Sequence, residues 1–150
     1  AARTADAVFA MAPDVASAVS QRTDLRARAV RAGRRADDVR VLPGLSLFLA
    51  RTASAARDLA DEAGSASSGR RGPSHWSIVG TPAEAADEVA GWARAGALDG
   101  FTARPGGSWG SLRLFAEELM PRLVDRGLAR GSYTGSTLAA HLGLGGPSTA

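Results

Sequence analysis

The stretch DDVRVLPGLSLFLA, residues 37–50, decides the fold class. It is the most apolar segment of the chain, with Val39, Val41, Leu42, Leu45, Leu47, Phe48 and Leu49 in close succession. A strand with one wet face alternates apolar and polar residues. A strand without that alternation is covered on both faces, which is the condition of parallel strands beneath helices. Pro43-Gly44 interrupts the run and predicts a kink or bulge, because proline has no N–H for the ladder. Behind it, TASAARDLADEAG (residues 52–64) has helical spacing, with Thr52 at the N-cap. In front, AVFA (residues 7–10) is a second short apolar run. Pro13 and Asp14 then open a helix: proline suits the first turn and aspartate the positive end of the helix dipole. Val15, Ala18, Val19, Arg22, Leu25, Ala29 and Val30 follow at helical spacing until Gly33.

The second half repeats this order. In SIVGTPAEAADEV (residues 77–89) two apolar residues lead into Gly80. Thr81 then stands at the N-cap, Pro82 at the first helical position and Glu84 at the third, which is a capping box. The helix runs to about residue 95, with Ala85, Val89 and Trp92 on one side, and stops at Gly96. ALDGFTARP (residues 97–105) holds a further short strand, and GGSWG is a turn. Ser111 is expected to cap a helix in which Leu112, Phe115, Leu119 and Leu123 share a face. Pro121 predicts a kink near Glu117 or Glu118, since its ring clashes with a carbonyl one turn back. Residues 64–77, GSASSGRRGPSHWS, read as a flexible loop, and residues from about 128 to 150 as a surface-hugging tail. Strands alternating with helices define a parallel α/β protein. Three core strands are few for a sheet standing alone, so the pattern fits a small open sheet or a piece of a larger barrel.

Composition narrows the function classes. A chain of 150 residues has the size of one domain, and 45% hydrophobic with 22% charged residues excludes general disorder. No apolar run approaches the roughly 20 residues of a membrane span. There is no cysteine, which excludes disulfides and thiolate metal sites, and His75 and His141 lie far apart in sequence. The chain opens without methionine, consistent with a fragment or a processed product. The pI of 10.8 comes with a net charge of only +3. Every basic residue is arginine, which keeps its charge to very high pH, so the pI overstates the basicity. The cluster RARAVRAGRR (residues 26–35) puts Arg28, Arg31 and Arg35 on one side of a helix. It carries no interleaved aromatics for stacking and reads as a solvated face rather than a nucleic-acid surface.

Gly80-Thr81-Pro82 lacks the lysine of a Walker loop and the three glycines of a dinucleotide fingerprint. Thr81 and Glu84 already occupy the helix-start donors, so this turn reads as structural. Sites in parallel α/β folds gather at the carboxyl ends of strands. There Pro43-Gly44 is either a bulge or an opening for a ligand, Arg104 is either solvated or a holder for an anionic group, and Trp109 offers a ring for stacking. His75 lies in the loop without an acidic or hydroxyl partner near it in sequence and reads as solvated. No carboxylate pair and no G-x-S-x-G serine is present, so no catalytic residue and no metal site is assigned.

Four segments carry a resemblance: ARTADAVFA (residues 2–10), VRVLPGLSLFLARTASAAR (39–57), IVGTPAEAADEVAGWARAGALDGF (78–101) and ELMPRLVDRGLARGSYTGSTLAAHLGL (118–144). In this order they resemble the C-terminal part of the bacterial-luciferase-like flavin monooxygenases, in the nitrilotriacetate and dibenzothiophene-sulfone monooxygenase branch. The resemblance covers nearly the whole chain. It implies about three βα units of a (β/α)8 barrel, with residues 7–10, 39–49 and 100–103 as the sixth, seventh and eighth strands. It implies that the first five strands, and a serine- and glycine-containing segment that holds the flavin phosphate, lie outside these residues. It also implies that residues 57–77 shorten a long insertion which covers the active site in relatives.

The cofactor implied is FMN, reduced by a separate flavin reductase and used with O2 to oxygenate a small organic substrate in the cytoplasm. The cofactor carries the difficult chemistry, and the protein binds and shields it. By the same resemblance Phe9, Met11, Phe101 and Arg104, at carboxyl ends of strands, line the flavin or substrate pocket. Thr102 stands where the family often has Asn. By itself the chain is expected to be inactive and to bind flavin poorly, with unpaired strand edges that favour self-association. The alternative is a non-catalytic remnant that binds a partner through those edges.

Overall fold

The apolar stretch forms β2 (Arg40–Leu49), on which all the other strands of a four-stranded parallel sheet are hung. The computed structural model describes residues 1–66, 75–133 and 135–143. β1 (Ala7–Ala10) pairs with the first half of β2, from Ala7 beside Arg40 to Ala10 beside Pro43. β3 (Trp76–Gly80) pairs with the second half, from Trp76 beside Leu45 to Gly80 beside Leu49. β4 (Thr102–Pro105) pairs with Gly44 to Leu47. Leu45, Ser46 and Leu47 have both β3 and β4 as neighbours, so these two strands flank β2 on opposite sides.

The capping residues act largely where sequence logic puts them. α1 (Val15–Arg31) starts at Asp14, whose carboxylate accepts from the Ser17 N–H at 2.8 Å, and it gives way to Gly33 at φ 81°. α2 (Ala53–Ala66) starts at Thr52, whose hydroxyl accepts from the Ala55 N–H. α3 (Pro82–Arg94) carries the expected capping box: Thr81 Oγ1 accepts from the Glu84 N–H, and the Glu84 carboxylate accepts from the Thr81 N–H at 2.8 Å.

Several expectations need correction. β2 continues as one strand through Pro43-Gly44, which is where its ladders change partners. Proline is tolerated because the ladder to β1 ends at Pro43 while those to β4 and β3 begin at Gly44 and Leu45. The loop placed at residues 64–77 is narrower than expected. α2 runs to Ala66, β3 begins at Trp76, and the part of the expected loop in residues 67–74 lies outside the described residues. The last strand is shifted by two residues, to Thr102–Pro105, and the sheet has four strands rather than the three expected, because Trp76–Gly80 pairs fully with the second half of β2.

Ser108, not Ser111, caps α4 (Trp109–Leu114), accepting from the Ser111 N–H. Ser111 is fully buried and ties this helix to the sheet: its Oγ accepts from the Leu49 N–H at 3.0 Å and donates to the Leu47 carbonyl at 3.2 Å. The expected kink before Pro121 is instead a π-helical turn, Phe115–Leu119, that continues into α5 (Met120–Asp125). The Met120 N–H reaches back five residues to the Phe115 carbonyl, so the helix widens to absorb the donor that Pro121 lacks. The tail holds a short helix, α6 (Leu138–His141), and the Arg40 guanidinium donates to the carbonyls of Leu142 and Gly143 just beyond it.

The core lies between one face of the sheet and the helices. Leu45, Leu47, Leu49, Trp76 and Ile78 from the strands meet Ala85, Ala86, Val89 and Trp92 of α3, with Leu119 and Leu123 beside them. Trp76 stacks on Trp92 with ring centroids 3.9 Å apart, and its indole N–H donates to Glu88 at 2.7 Å. The other face of β2 is not sealed: Leu42, Ser46 and Phe48 are only half-buried. The expectation of cover on both faces therefore holds for one face among the described residues.

Candidate functional site

That unsealed face is the candidate site. Side chains alternate across a strand, so the residues between core positions point away from the helices. On β2 these are Leu42, Gly44, Ser46 and Phe48; on β3 Ser77 and Val79; on β4 Thr102 and Arg104; on β1 Phe9. Met11 follows Phe9 at the same parity beyond the end of β1. Phe9 is 49% exposed, Val79 41% and Met11 38%. Large apolar side chains held open on one sheet face mark a surface built to be covered.

Two glycines let aromatic rings lie against the backbone. A Cβ at Gly44 would stand 2.6 Å from Phe9 Cζ and 2.9 Å from His75 Nδ1, so the Phe9 and His75 rings together cover that residue. Their centroids are 5.5 Å apart, edge to face. A Cβ at Gly106 would stand 2.8 Å from Phe48 Cε1. His75 is not solvated as its sequence context suggested: its Nδ1 is buried and has no hydrogen-bond partner among the described residues. Polar groups stand between the rings. Ser46 has Ser77 beside it on one strand and Arg104 beside it on the other. Among the described residues Arg104 has no hydrogen bond or ion pair, and β1 to β4 contain no acidic residue. The face offers flat apolar rings, hydroxyls and one unpaired cation. That is the chemistry of a site for a planar or apolar molecule carrying an anionic group.

Of the four residues singled out in the sequence, Phe9 and Arg104 share this face, and Met11 is exposed just beyond the end of β1. Phe101 does not share the face: it packs against the core, edge-on to Trp76 at 6.3 Å, on the helix side of the sheet. Parity accounts for the split, since Phe101 and Ala103 alternate with Thr102 and Arg104. Ser46, Phe48, Ser77 and Val79 were not singled out. Their signal was present as polar or aromatic residues alternating with Leu45, Leu47 and Leu49 and with Trp76 and Ile78.

A second cluster sits where β2 begins. Asp99, whose side chain is 6% exposed, accepts from Arg22 and Arg26 and from the Val41 N–H at 2.9 Å. Burial pushes its carboxyl up. The Arg22 hydrogen bonds, the Val41 N–H and the charges of Arg22 and Arg26 outweigh that and hold it below the ordinary aspartate value. This cluster joins α1, β2 and the loop before β4, and Arg26 Nε is buried there without a hydrogen-bond partner among the described residues. Among the described residues no group of three or more His, Asp or Glu side chains could hold a metal, and no helix is long and apolar enough to cross a membrane.

The chain is similar in sequence to nitrilotriacetate monooxygenase component A of Aminobacter aminovorans, at 28% identity over 98% of this chain and 46% of the relative. It is 42% identical to the dibenzothiophene-sulfone monooxygenase of Rhodococcus erythropolis over 44% of this chain and 15% of that one. Its fold is similar to that of a riboflavin lyase solved with modified FMN and riboflavin, with a TM-score of 0.82 at 23% identity over 94% of this chain and 43% of that one. The EDTA monooxygenase of Chelativorans sp. BNC1 superposes with a TM-score of 0.80 at 20% identity, over 96% and 47%. No family model matches. The chain thus resembles the nitrilotriacetate and dibenzothiophene-sulfone monooxygenases in sequence, and the riboflavin lyase and EDTA monooxygenase in fold. The chain spans just under half the length of the nitrilotriacetate monooxygenase.

Proposed function

We propose that this chain forms part of an FMN-dependent monooxygenase, contributing its four βα units to a (β/α)8 barrel and one wall to its flavin site. The observation that supports this best is the alignment of 98% of the chain with nitrilotriacetate monooxygenase component A. That alignment runs over 209 positions against 150 residues here, so the relative carries segments with no counterpart. We place the main difference between Arg57 and Ser77.

The open sheet face fits the flavin ring system. Phe9, Met11, Phe48 and Val79 supply a flat apolar surface, and Gly44 and Gly106 keep it free of further side chains. Bound there, reduced FMN would supply the electrons for activating O2. The residues of this chain would orient the ring, exclude water from one side of it and, through Arg104, meet an anionic group. A separate flavin reductase would deliver the reduced cofactor, in keeping with a relative named as component A of its system. One wall does not enclose a ligand, so the 150 residues by themselves would hold FMN weakly and not turn over.

The test is O2 uptake by the full translated product that carries these residues, mixed with FMN, NADH and a flavin reductase. Uptake that depends on both protein and an organic substrate, with one oxygen atom gained by the product, is expected. Because free reduced FMN itself consumes O2 to give H2O2, the contradicting result is the absence of any oxygenated product that depends on the protein.

A further inference from the structure

We infer that the row Ser77–Ser46–Arg104 seats a carboxylate, which makes the substrate an organic acid. The word substrate rests on the monooxygenase reading; the seat rests on the geometry of the sheet. Ser46 pairs with Ser77 on one side and with Arg104 on the other. Neighbouring strands lie about 4.8 Å apart, so the two hydroxyls and the guanidinium stem form one line across three strands. All three project away from the helices: Ser46 and Ser77 are flanked on both sides by core residues, and Arg104 follows the core-packed Ala103 and pairs with Ser46. Among the described residues eight arginines, Arg28 included, meet a carboxylate; Arg104 meets none, as is true of Arg31 and Arg122, but those two lie on helices and Arg104 stands on the open sheet face.

A planar guanidinium fork matches a carboxylate with two parallel hydrogen bonds, and serine hydroxyls can donate to its remaining lone pairs. One step further along the strands Phe48 lies beside Val79, so the seat borders the apolar surface assigned to the flavin ring. A neutral hydrocarbon would cover the guanidinium without replacing its water, which is unfavourable. The same seat would accept a phosphate, so cofactor and substrate must be told apart by experiment.

The test follows amide chemical shifts of the 150-residue chain during titration with benzoate, benzyl alcohol, FMN and riboflavin. Benzoate is expected to saturate and to shift Ser46, Ser77 and Arg104, while benzyl alcohol binds more weakly. Arg104→Gln should weaken benzoate about tenfold or more, the size of a lost charge-assisted pair. Arg104→Lys should fall between the two, and Arg122→Gln, on the exposed side of α5, should have no effect. Equal binding of benzoate and benzyl alcohol, or equal loss in Arg104→Gln and Arg122→Gln, overturns the inference. A preference for FMN over riboflavin that disappears in Arg104→Gln assigns the row to the cofactor phosphate; this also overturns the inference but leaves the flavin reading standing. The flavin reading itself fails if neither flavin shifts the open face, whatever benzoate does.

Discussion

The Asp99 carboxylate meets the Arg22 guanidinium side-on, Oδ1 to Nη2 at 2.7 Å and Oδ2 to Nε at 3.2 Å, across 77 residues of sequence. With Arg26 Nη2 at 2.8 Å and the Val41 N–H at 2.9 Å, Asp99 joins the first helix, the central strand and the approach to the last strand. Asp99→Ala would leave the Val41 N–H without its acceptor and strip one carboxylate from two guanidiniums, of which Arg26 keeps Asp37 and Arg22 keeps the Gly96 carbonyl. We expect a loss of about 3 kcal/mol, at the lower end for a broken buried pair because both arginines remain about one-fifth exposed. Urea denaturation checks this.

The same carboxylate makes stability depend on acid. Its folded pKa lies below the unfolded value, so its contribution is complete at neutral pH and is lost as pH falls below the ordinary aspartate value of 3.8 through the folded one. Urea midpoints measured from pH 7 down to pH 3 should fall less in Asp99→Asn than in the wild type. Parallel curves contradict the assignment.

Trp76 and Trp92 lie 14° from coplanar in the core. Trp92→Ala should cost about 3–5 kcal/mol, as for other large-to-small core changes, and should abolish the near-ultraviolet circular dichroism of the stacked pair. Trp109→Ala, at a side chain 75% exposed, should leave both unchanged.

Ser111→Ala removes the acceptor of the Leu49 N–H, while the Leu47 carbonyl keeps the Gly106 N–H at 2.8 Å. One buried donor is orphaned, which costs about 1–3 kcal/mol. Hydrogen exchange should show the Leu49 amide losing more protection than its neighbours.

How far the fold was legible depended on the range of the forces that set it. Asp14, Thr52 and the Thr81–Glu84 capping box act within one helical turn, and all were readable from spacing. Whether β2 bends at Pro43 depends on where its partners β1, β3 and β4 begin and end, and no local rule supplies that. Ser111 looked like a cap because its real partners, Leu47 and Leu49, are over sixty residues away. Phe101 and Arg104 were grouped by their nearness to a strand end. Standing three residues apart, they face opposite sides of the sheet in the expected register as in the observed one, which nearness to a strand end does not reveal. His75 was placed in a loop because its neighbours Gly44 and Phe9 are close only in space.

The most direct test of the central claim is amide chemical-shift mapping of FMN on the 150-residue chain, carried to millimolar flavin so that weak binding is seen. The account predicts shifts confined to the open face, at Phe9, Met11, Ser46, Phe48 and Val79, with Phe101 and Trp92 behind the sheet unmoved. Shifts centred on the helix side, or none at all, would contradict it.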